Sequence, residues 1–476
     1  MLMRIGGIDA EPDDDTWIPV INPATGDEID HVPAGRKNDV ERAVAAADAA
    51  FPVWKKKTQR ERGTILFRAA GIVREQHKDL ARLLTTEQGK PLRESIDEIR
   101  GYANILEFYA GISAAQNGEL VRLGATGDAL VTREPLGICG AIIPWNMPVL
   151  IMGWKIGPAL LAGNTMVLKP ASSTPLTTLR LTQILDEAGL PPGTLNTITG
   201  PGETVGEAMA EHRAIKKLSF TGNCATGQRI RERAAGSLKE LTLELGGSDP
   251  MIVMPDADID KAVDGAIRGR FYNAGQTCTA VKRLFVHESI ATEFSRKLKQ
   301  KAEALRLGNG LDKGIDMGPL NSAVQREGIE KLVDRVKNTG QGTVLIGGTR
   351  PEGAEYSRGF FYLPTVVSDV EKTSGLLTGE IFGPVLPVVP VPDLDAAITE
   401  ANRTSFGLGA SVWTSNLPTA KRAFDEIHAG IIWVNRHLTV PPEIPFGGMN
   451  ESGVGRENGL HALESYSRTK TLLLGW

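Results

Sequence analysis

The chain has 476 residues, of which 41% are hydrophobic and 23% charged, and its 53 basic side chains face 57 acidic ones for a formal net charge of −4. That composition fits a globular protein with a sizeable core and excludes disorder, while the balanced charge excludes the basic footprint of a nucleic-acid binder. No apolar run approaches the ~18–20 residues that cross a bilayer. The start MLMRIGGIDAEPDDDTW is acidic with no secretory apolar segment, and three cysteines are too few for a disulfide framework, so a soluble cytoplasmic protein is expected.

In chain order, charged amphipathic helical patterns run from about Asn38 to Asn117 and suit an outer layer. The segment GICGAIIPWN (137–146) begins as a buried strand and ends in a Pro-Trp-Asn turn. An apolar helix over 149–163, a strand over 165–170 and a helix over 176–189 follow, the last closing at Gly189 ahead of Leu-Pro-Pro. Strand, helix, strand and helix continue through 195–200, 203–212, 216–222 and 225–235. A second alternating block starts near MIVM (251–254), with a helix that puts Ile259, Ala262, Val263, Ala266 and Ile267 on one face. The stretches at 282–289, 343–348 and 384–391 read as its further strands. The pattern predicts an α/β fold: two units with mostly parallel sheets, helices on both faces, and a ligand cleft between them.

Three local features carry chemistry. Cys278, in GQTC at 275–278, sits between a polar turn and a strand, where a thiolate is favoured; the bland alternative is a small buried hydrophobe. Cys139 in an apolar strand and Cys224 in a short polar turn read as structural. Glu244 interrupts the apolar strand LTLELGG just before two glycines, and a carboxylate there is either an ion-pair member or a tuned base. Asn146, at the carboxyl end of a strand, offers an amide to a developing oxyanion or merely caps a turn. A thiol nucleophile with a carboxylate base is the combination these residues suggest. No G-x-G-x-x-G fingerprint follows the first strand, but the turns GPGETVG (200–206) and FTGNCATG (220–227) can each aim backbone N–H groups at a phosphate.

Taken in order, PWN, KPASSTP, FTGN, LELGG, GQTC, EIFGPVLPV and PFGGMNESGVGREN resemble the aldehyde dehydrogenase superfamily from about 21–29 to the C-terminal strand. The resemblance implies a Rossmann-like NAD(P)-binding domain at 1–117 and 136–246, a catalytic domain at 247–446, and oligomerisation strands at 118–135 and 463–476 of a homodimer or homotetramer. It implies NAD(P)-dependent oxidation of a small-molecule aldehyde to a carboxylic acid, without a metal, nucleic-acid partner or membrane. Cys278 would form a thiohemiacetal and then a thioester, Asn146 and the Cys278 N–H would hold the oxyanion, and Glu244 would activate the hydrolytic water. Lys155 and Glu457 match the family's proton path. Trp145, Asn146, Lys169, Ser172, Gly202, Gly206, Phe220, Thr221, Gly222, Asn223, Leu245, Glu380 and Phe382 match its cofactor-binding positions.

Departures from the family pattern bear on specificity. Ser172 stands where many NAD-preferring members have Glu, which removes repulsion of a 2′-phosphate and opens the site to NADP+ or to both cofactors. Asn223 replaces the usual Ser of FTGS; Ser248 and Asn450 replace frequent lysines outside the chemistry. For the substrate, Trp154 and Tyr272 occupy positions where succinate-semialdehyde enzymes carry arginines, and neither makes the bidentate pair a carboxylate wants. Such rings resemble enzymes for betaine aldehyde and amino-aldehydes, although Met147 stands where those often carry Tyr. Arg436 in VNR resembles lactaldehyde and glycolaldehyde dehydrogenases. The competing readings are a CoA-acylating semialdehyde dehydrogenase, against which Glu244 argues, and a non-catalytic structural relative, against which the intact trio argues.

Overall fold

The computed structural model describes residues 1–114 and 118–475. The expected end of the N-terminal helices at Asn117 and the last residue of the C-terminal strand, Trp476, lie outside the described residues.

Two α/β sheets form the body. The first runs Gly453–Val454, Glu240–Glu244, Ile215–Thr221, Ile138–Ile142, Thr165–Lys169, Leu195–Thr197, Met3–Ile5, Ile8–Ala10 across its width. Its five inner strands are parallel and its edges antiparallel. Ile138–Ile142 and Thr165–Lys169 are buried at every position, as a parallel strand covered on both faces must be. The helix Pro148–Ala162 carries one charged side chain, Lys155, and all of it but Leu150 is buried, the expected outcome for a helix that is otherwise apolar on every face. It packs on the sheet beneath the helices Gln59–Glu75 and Leu92–Gly111, sharing one core with Tyr102, Ile105 and Tyr109.

The second sheet runs Thr343–Ile346, Thr365–Ser368, Val385–Val391, Val281–His287, Asp249–Val253, Gly409–Trp413, Ile431–Val434. It is parallel except at Thr343–Ile346. A third, antiparallel sheet places Asp128–Pro135 between Glu119–Arg122 and Ser467–Leu474. Leu120, Leu130, Leu472 and Leu473 are exposed on it.

Three details differ from the sequence reading. The helix expected over 203–212 divides into a π-type turn, Gly202–Gly206, and the short helix Glu207–Glu211, because glycines at both ends of the turn weaken regular helix. Cys224 is the first residue of the helix Cys224–Ala234 rather than part of a turn, since Asn223 caps that helix by accepting from Thr226 N at 2.8 Å. The hairpin Met3–Ile5 and Ile8–Ala10, too short to show a period, extends the first sheet.

Candidate active site

Cys278 follows a backbone reversal that few sequences tolerate. After the helix Ile259–Phe271, three consecutive residues adopt left-handed backbone: Asn273 (φ 50°), Ala274 (φ 53°) and Gly275 (φ 73°). At Gly275 a Cβ would lie 2.3 Å from the Gly383 carbonyl, so only glycine fits. At the two non-glycine positions such backbone costs roughly 1–3 kcal/mol each and persists only where the surroundings over-determine it. They do so here with buried polar groups. The Glu94 carboxylate accepts the Asn273 N–H at 2.8 Å, Gln88 Nε2 donates to Asn273 Oδ1 at 3.0 Å, and Asn273 Nδ2 donates to the Asn146 carbonyl at 2.9 Å.

Asn146 is held from both ends. Its Nδ2 donates to the Gln276 carbonyl at 3.0 Å, two residues from the thiol, leaving a second N–H on the same nitrogen. Its own carbonyl also accepts from Lys90 Nζ at 2.7 Å. Lys90 is paired at 2.5 Å with Glu98, which also accepts the Val149 and Leu150 N–H groups. A buried ion pair is tolerable when its remaining polar atoms are satisfied in this way. Sequence reasoning missed Gln88, Lys90, Glu94 and Glu98. Only Glu94 and Glu98, four apart on the helix Leu92–Gly111, share a helix face; Gln88 ends the preceding helix and Lys90 lies in the connection between the two.

Glu244 ends its strand 3% exposed, and among the described residues no protein group bonds either carboxylate oxygen. Burial, reinforced by the Glu457 charge and opposed by Lys155 and Arg456, pushes its carboxyl well above the usual range. Lys155 Nζ pairs with Glu457 at 2.9 Å and donates to Ser219 Oγ at 2.7 Å, and Ser219 hydrogen-bonds the same Glu457 oxygen. Lys155, Ser219 and Glu457 thus form a buried polar chain near Glu244.

A cavity of about 520 Å³ opens between the two sheets, with Cys278 on its wall. Trp145, Asn146, Lys169, Ser172, Gly202, Gly206, Phe220, Thr221, Gly222, Asn223, Leu245, Glu380 and Phe382 all line it. So do Glu203, Glu207, Arg229 and Gln325, which the sequence did not single out. Lys169 is 3% exposed, and burial lowers its ammonium to about 8. Ser172 Oγ donates to the Gly200 carbonyl at 3.1 Å. Glu380 accepts from Gly247 N at 3.2 Å and from Lys282 Nζ at 3.1 Å, and Phe382 meets Trp145 edge-to-face at 5.4 Å. Burial pushes the Cys278 thiol up to about 12, with Lys282 the strongest opposing charge.

The four candidate substrate residues lie outside this lining. Trp154 is buried and packs its ring 4.9 Å from Phe446. Met147 Sδ accepts from Lys90 Nζ at 3.3 Å. Tyr272 immediately precedes the left-handed turn, and Arg436 is exposed beyond the strand Ile431–Val434. Among the described residues no group of three or more His, Cys, Asp or Glu side chains could hold a metal ion, and no helix is long and apolar enough to cross a membrane.

Residues 10–472 match the model of the aldehyde dehydrogenase family. A betaine aldehyde dehydrogenase of Rhizobium etli (strain CIAT 652) is 43% identical over 474 residues, covering 99% of this chain and 96% of that one. A phenylacetaldehyde dehydrogenase of Pseudomonas fluorescens is 42% identical over 484 residues, covering 100% and 96%. The crystal structure of a Staphylococcus aureus betaine aldehyde dehydrogenase in complex with NAD+ superimposes with a TM-score of 0.97 at 35% identity, covering 100% of this chain and 94% of that one.

Proposed function

Because the chain belongs to the aldehyde dehydrogenase family and is an NAD(P)-dependent aldehyde oxidoreductase, we propose that Cys278 is its nucleophile, Asn146 its oxyanion donor and Glu244 its hydrolytic base. The observation that carries this reading is the convergence of Cys278 and every candidate cofactor residue on one cavity. The Cys278 thiolate adds to the aldehyde carbon, and the new oxyanion takes the free Asn146 N–H and the Cys278 backbone N–H. Loss of hydride leaves an acyl thioester on Cys278. Glu244 takes a proton from water, hydroxide adds to the thioester carbon, and the thiolate leaves as the acid forms. Lys155, Ser219 and Glu457 carry the proton onward. Glu244 favours water over CoA as the acyl acceptor.

A dinucleotide fits the residues present. Lys169 buries an ammonium whose protein bond is to the Pro170 carbonyl, which leaves charge for ribose or phosphate oxygens. The capped helix Cys224–Ala234 begins at the cavity wall, where an anion is favoured. Glu380 would hold the nicotinamide ribose, and Trp145 and Phe382 would pack beside the ring. Bound there, the nicotinamide supplies the hydride acceptor. Ser172 brings no negative charge to the adenosine end, so both NAD+ and NADP+ are accepted. Residues 1–117 and 136–246 serve the cofactor, 247–446 carry the nucleophile, and 118–135 with 463–476 join subunits.

The substrate we favour is an aldehyde with a compact quaternary-ammonium tail. Its support is the betaine aldehyde relatives at 42–43% identity. An arylacetaldehyde is the second reading, favoured by the Pseudomonas relative. Following reduced-nicotinamide absorbance with betaine aldehyde, phenylacetaldehyde, glycolaldehyde, lactaldehyde and succinate semialdehyde, each with NAD+ and NADP+, decides between them. Cys278→Ala should abolish turnover while cofactor binding persists; turnover by that variant refutes the nucleophile.

A further inference from the structure

The chemistry of Cys278 and Glu244 leaves one buried charge unused. Lys282 is the second residue of the strand Val281–His287, and its side chain is fully buried. Its Nζ donates to the Cys278 carbonyl at 2.6 Å and to Glu380 Oε1 at 3.1 Å, and lies 5.8 Å from the Phe382 ring centre. One ammonium therefore joins the nucleophile's own residue to a carboxylate on the cavity wall. A lysine is costly to bury without such partners.

The charges around this junction come from every neighbouring element. Asp249, buried on the adjacent strand Asp249–Val253, and Glu244, closing Glu240–Glu244, both oppose ionisation of the thiol, as does Glu380. Arg283 is committed to the carbonyls of Ser248, Glu400 and Ala401. Buried His437 bonds the Thr279 carbonyl through Nε2 at 2.7 Å and is kept neutral by burial at neutral pH. Lys282 is thus the cation in direct contact with the Cys278 residue, and Glu380 is the acid that competes for it.

We propose that Lys282 is a positioning residue that couples occupation of the cofactor cavity to activation of Cys278. With Glu380 bound to Lys282, the ammonium is half-neutralised and the thiol stays protonated. When ribose hydroxyls draw Glu380 away, the full charge is left to the Cys278 residue and the thiolate is favoured. The inference rests on reading Cys278 as the nucleophile and Glu380 as a ribose anchor.

The test is the rate of Cys278 alkylation by iodoacetamide from pH 6 to pH 10 in the full-length protein, read by peptide-resolved mass spectrometry with and without NAD+. Because burial holds the thiol above this range, the rate at each pH follows the small thiolate fraction. In the parent, NAD+ should raise that rate. Lys282→Met should lower it about tenfold or more and abolish the NAD+ effect, whereas Lys282→Arg should preserve it. Glu380→Gln should show, without NAD+, the rate of the NAD+-bound parent. A folded Lys282→Met protein alkylated at the parent's rate, or a parent unchanged by NAD+, overturns the proposal. Should Lys282→Met not fold, Glu380→Gln decides alone: an unchanged rate overturns it. No aldehyde is consumed, so failure here is separate from failure of the nucleophile assignment, which turnover by Cys278→Ala would show.

Discussion

Gly246→Ala probes the cofactor wall with a single methyl group. A Cβ at Gly246 would stand 2.2 Å from Glu380 Oε2 and 2.7 Å from its Cδ, whereas ordinary contacts lie near ~3.5–4.0 Å, so one partner must retreat by roughly 1 Å or more. The strand end cannot move: the Gly246 carbonyl accepts from Ser452 Oγ at 2.7 Å, and Leu245 N donates to the Ser452 carbonyl at 2.9 Å. Glu380 can, because its side chain retains 21% exposure. Its bonds from Gly247 N and Lys282 Nζ, already 3.2 and 3.1 Å long, then break. A hydrogen bond involving a charged group contributes about 1.5–3 kcal/mol, so misplacing Glu380 should weaken NAD+ binding by about 10- to 150-fold. Titration of NAD+ against tryptophan fluorescence, to which Trp145 in the cavity contributes, measures the loss, and a melting curve should match the parent's. A folded variant whose Kd stays within about twofold of the parent's would refute the role given to Glu380.

Ser172→Glu should move the ratio of kcat/KM values toward NAD+, since a carboxylate at that point of the cavity repels a 2′-phosphate; an unchanged ratio refutes the reading. Glu94 is buried and held up to about 8, against 4.5 for a free carboxyl, so its contribution to stability is complete below about 4.5 and drains away as pH rises through 8. The parent's Tm should therefore fall between pH 6 and pH 9, and Glu94→Gln, which keeps an acceptor for the Asn273 N–H, should fall less; parallel curves refute this. Leu473 is 64% exposed on the strand Ser467–Leu474, and Leu473→Lys should lower the sedimenting mass toward that of one chain. A mass equal to the parent's refutes the use of that sheet between subunits.

The first sheet was legible because its strands are buried on both faces: Ile138–Ile142 and Thr165–Lys169 read as continuous apolar runs between helix signals. The cofactor candidates were legible through motif order, since most fall at strand ends or in the turns that follow. The supporting shell was not. Lys90, Glu94 and Glu98 belong to segments whose charge read as a solvated outer face, yet all three are buried to satisfy the backbone around Asn146 and Asn273. Lys282 opens the stretch 282–289, which read only as a strand, and nothing local marks its side chain as buried. A local pattern records whether a residue is polar, but not whether a distant backbone group needs it.

Ser452 has a mechanical consequence. Its hydroxyl donates to the Gly246 carbonyl at 2.7 Å and accepts the Gly407 N–H at 2.9 Å, so one buried oxygen is bonded to segments leading from the first sheet and into the second. Across the cleft, the Glu94 and Gln88 bonds to Asn273 fasten the helical layer of the first sheet to the loop that precedes the second. Walls fastened at both margins cannot swing apart as hinged lobes without breaking bonds shielded from water. Hinged opening of the cavity therefore carries the cost of these buried hydrogen bonds, each about 1–3 kcal/mol when a partner is left unsatisfied.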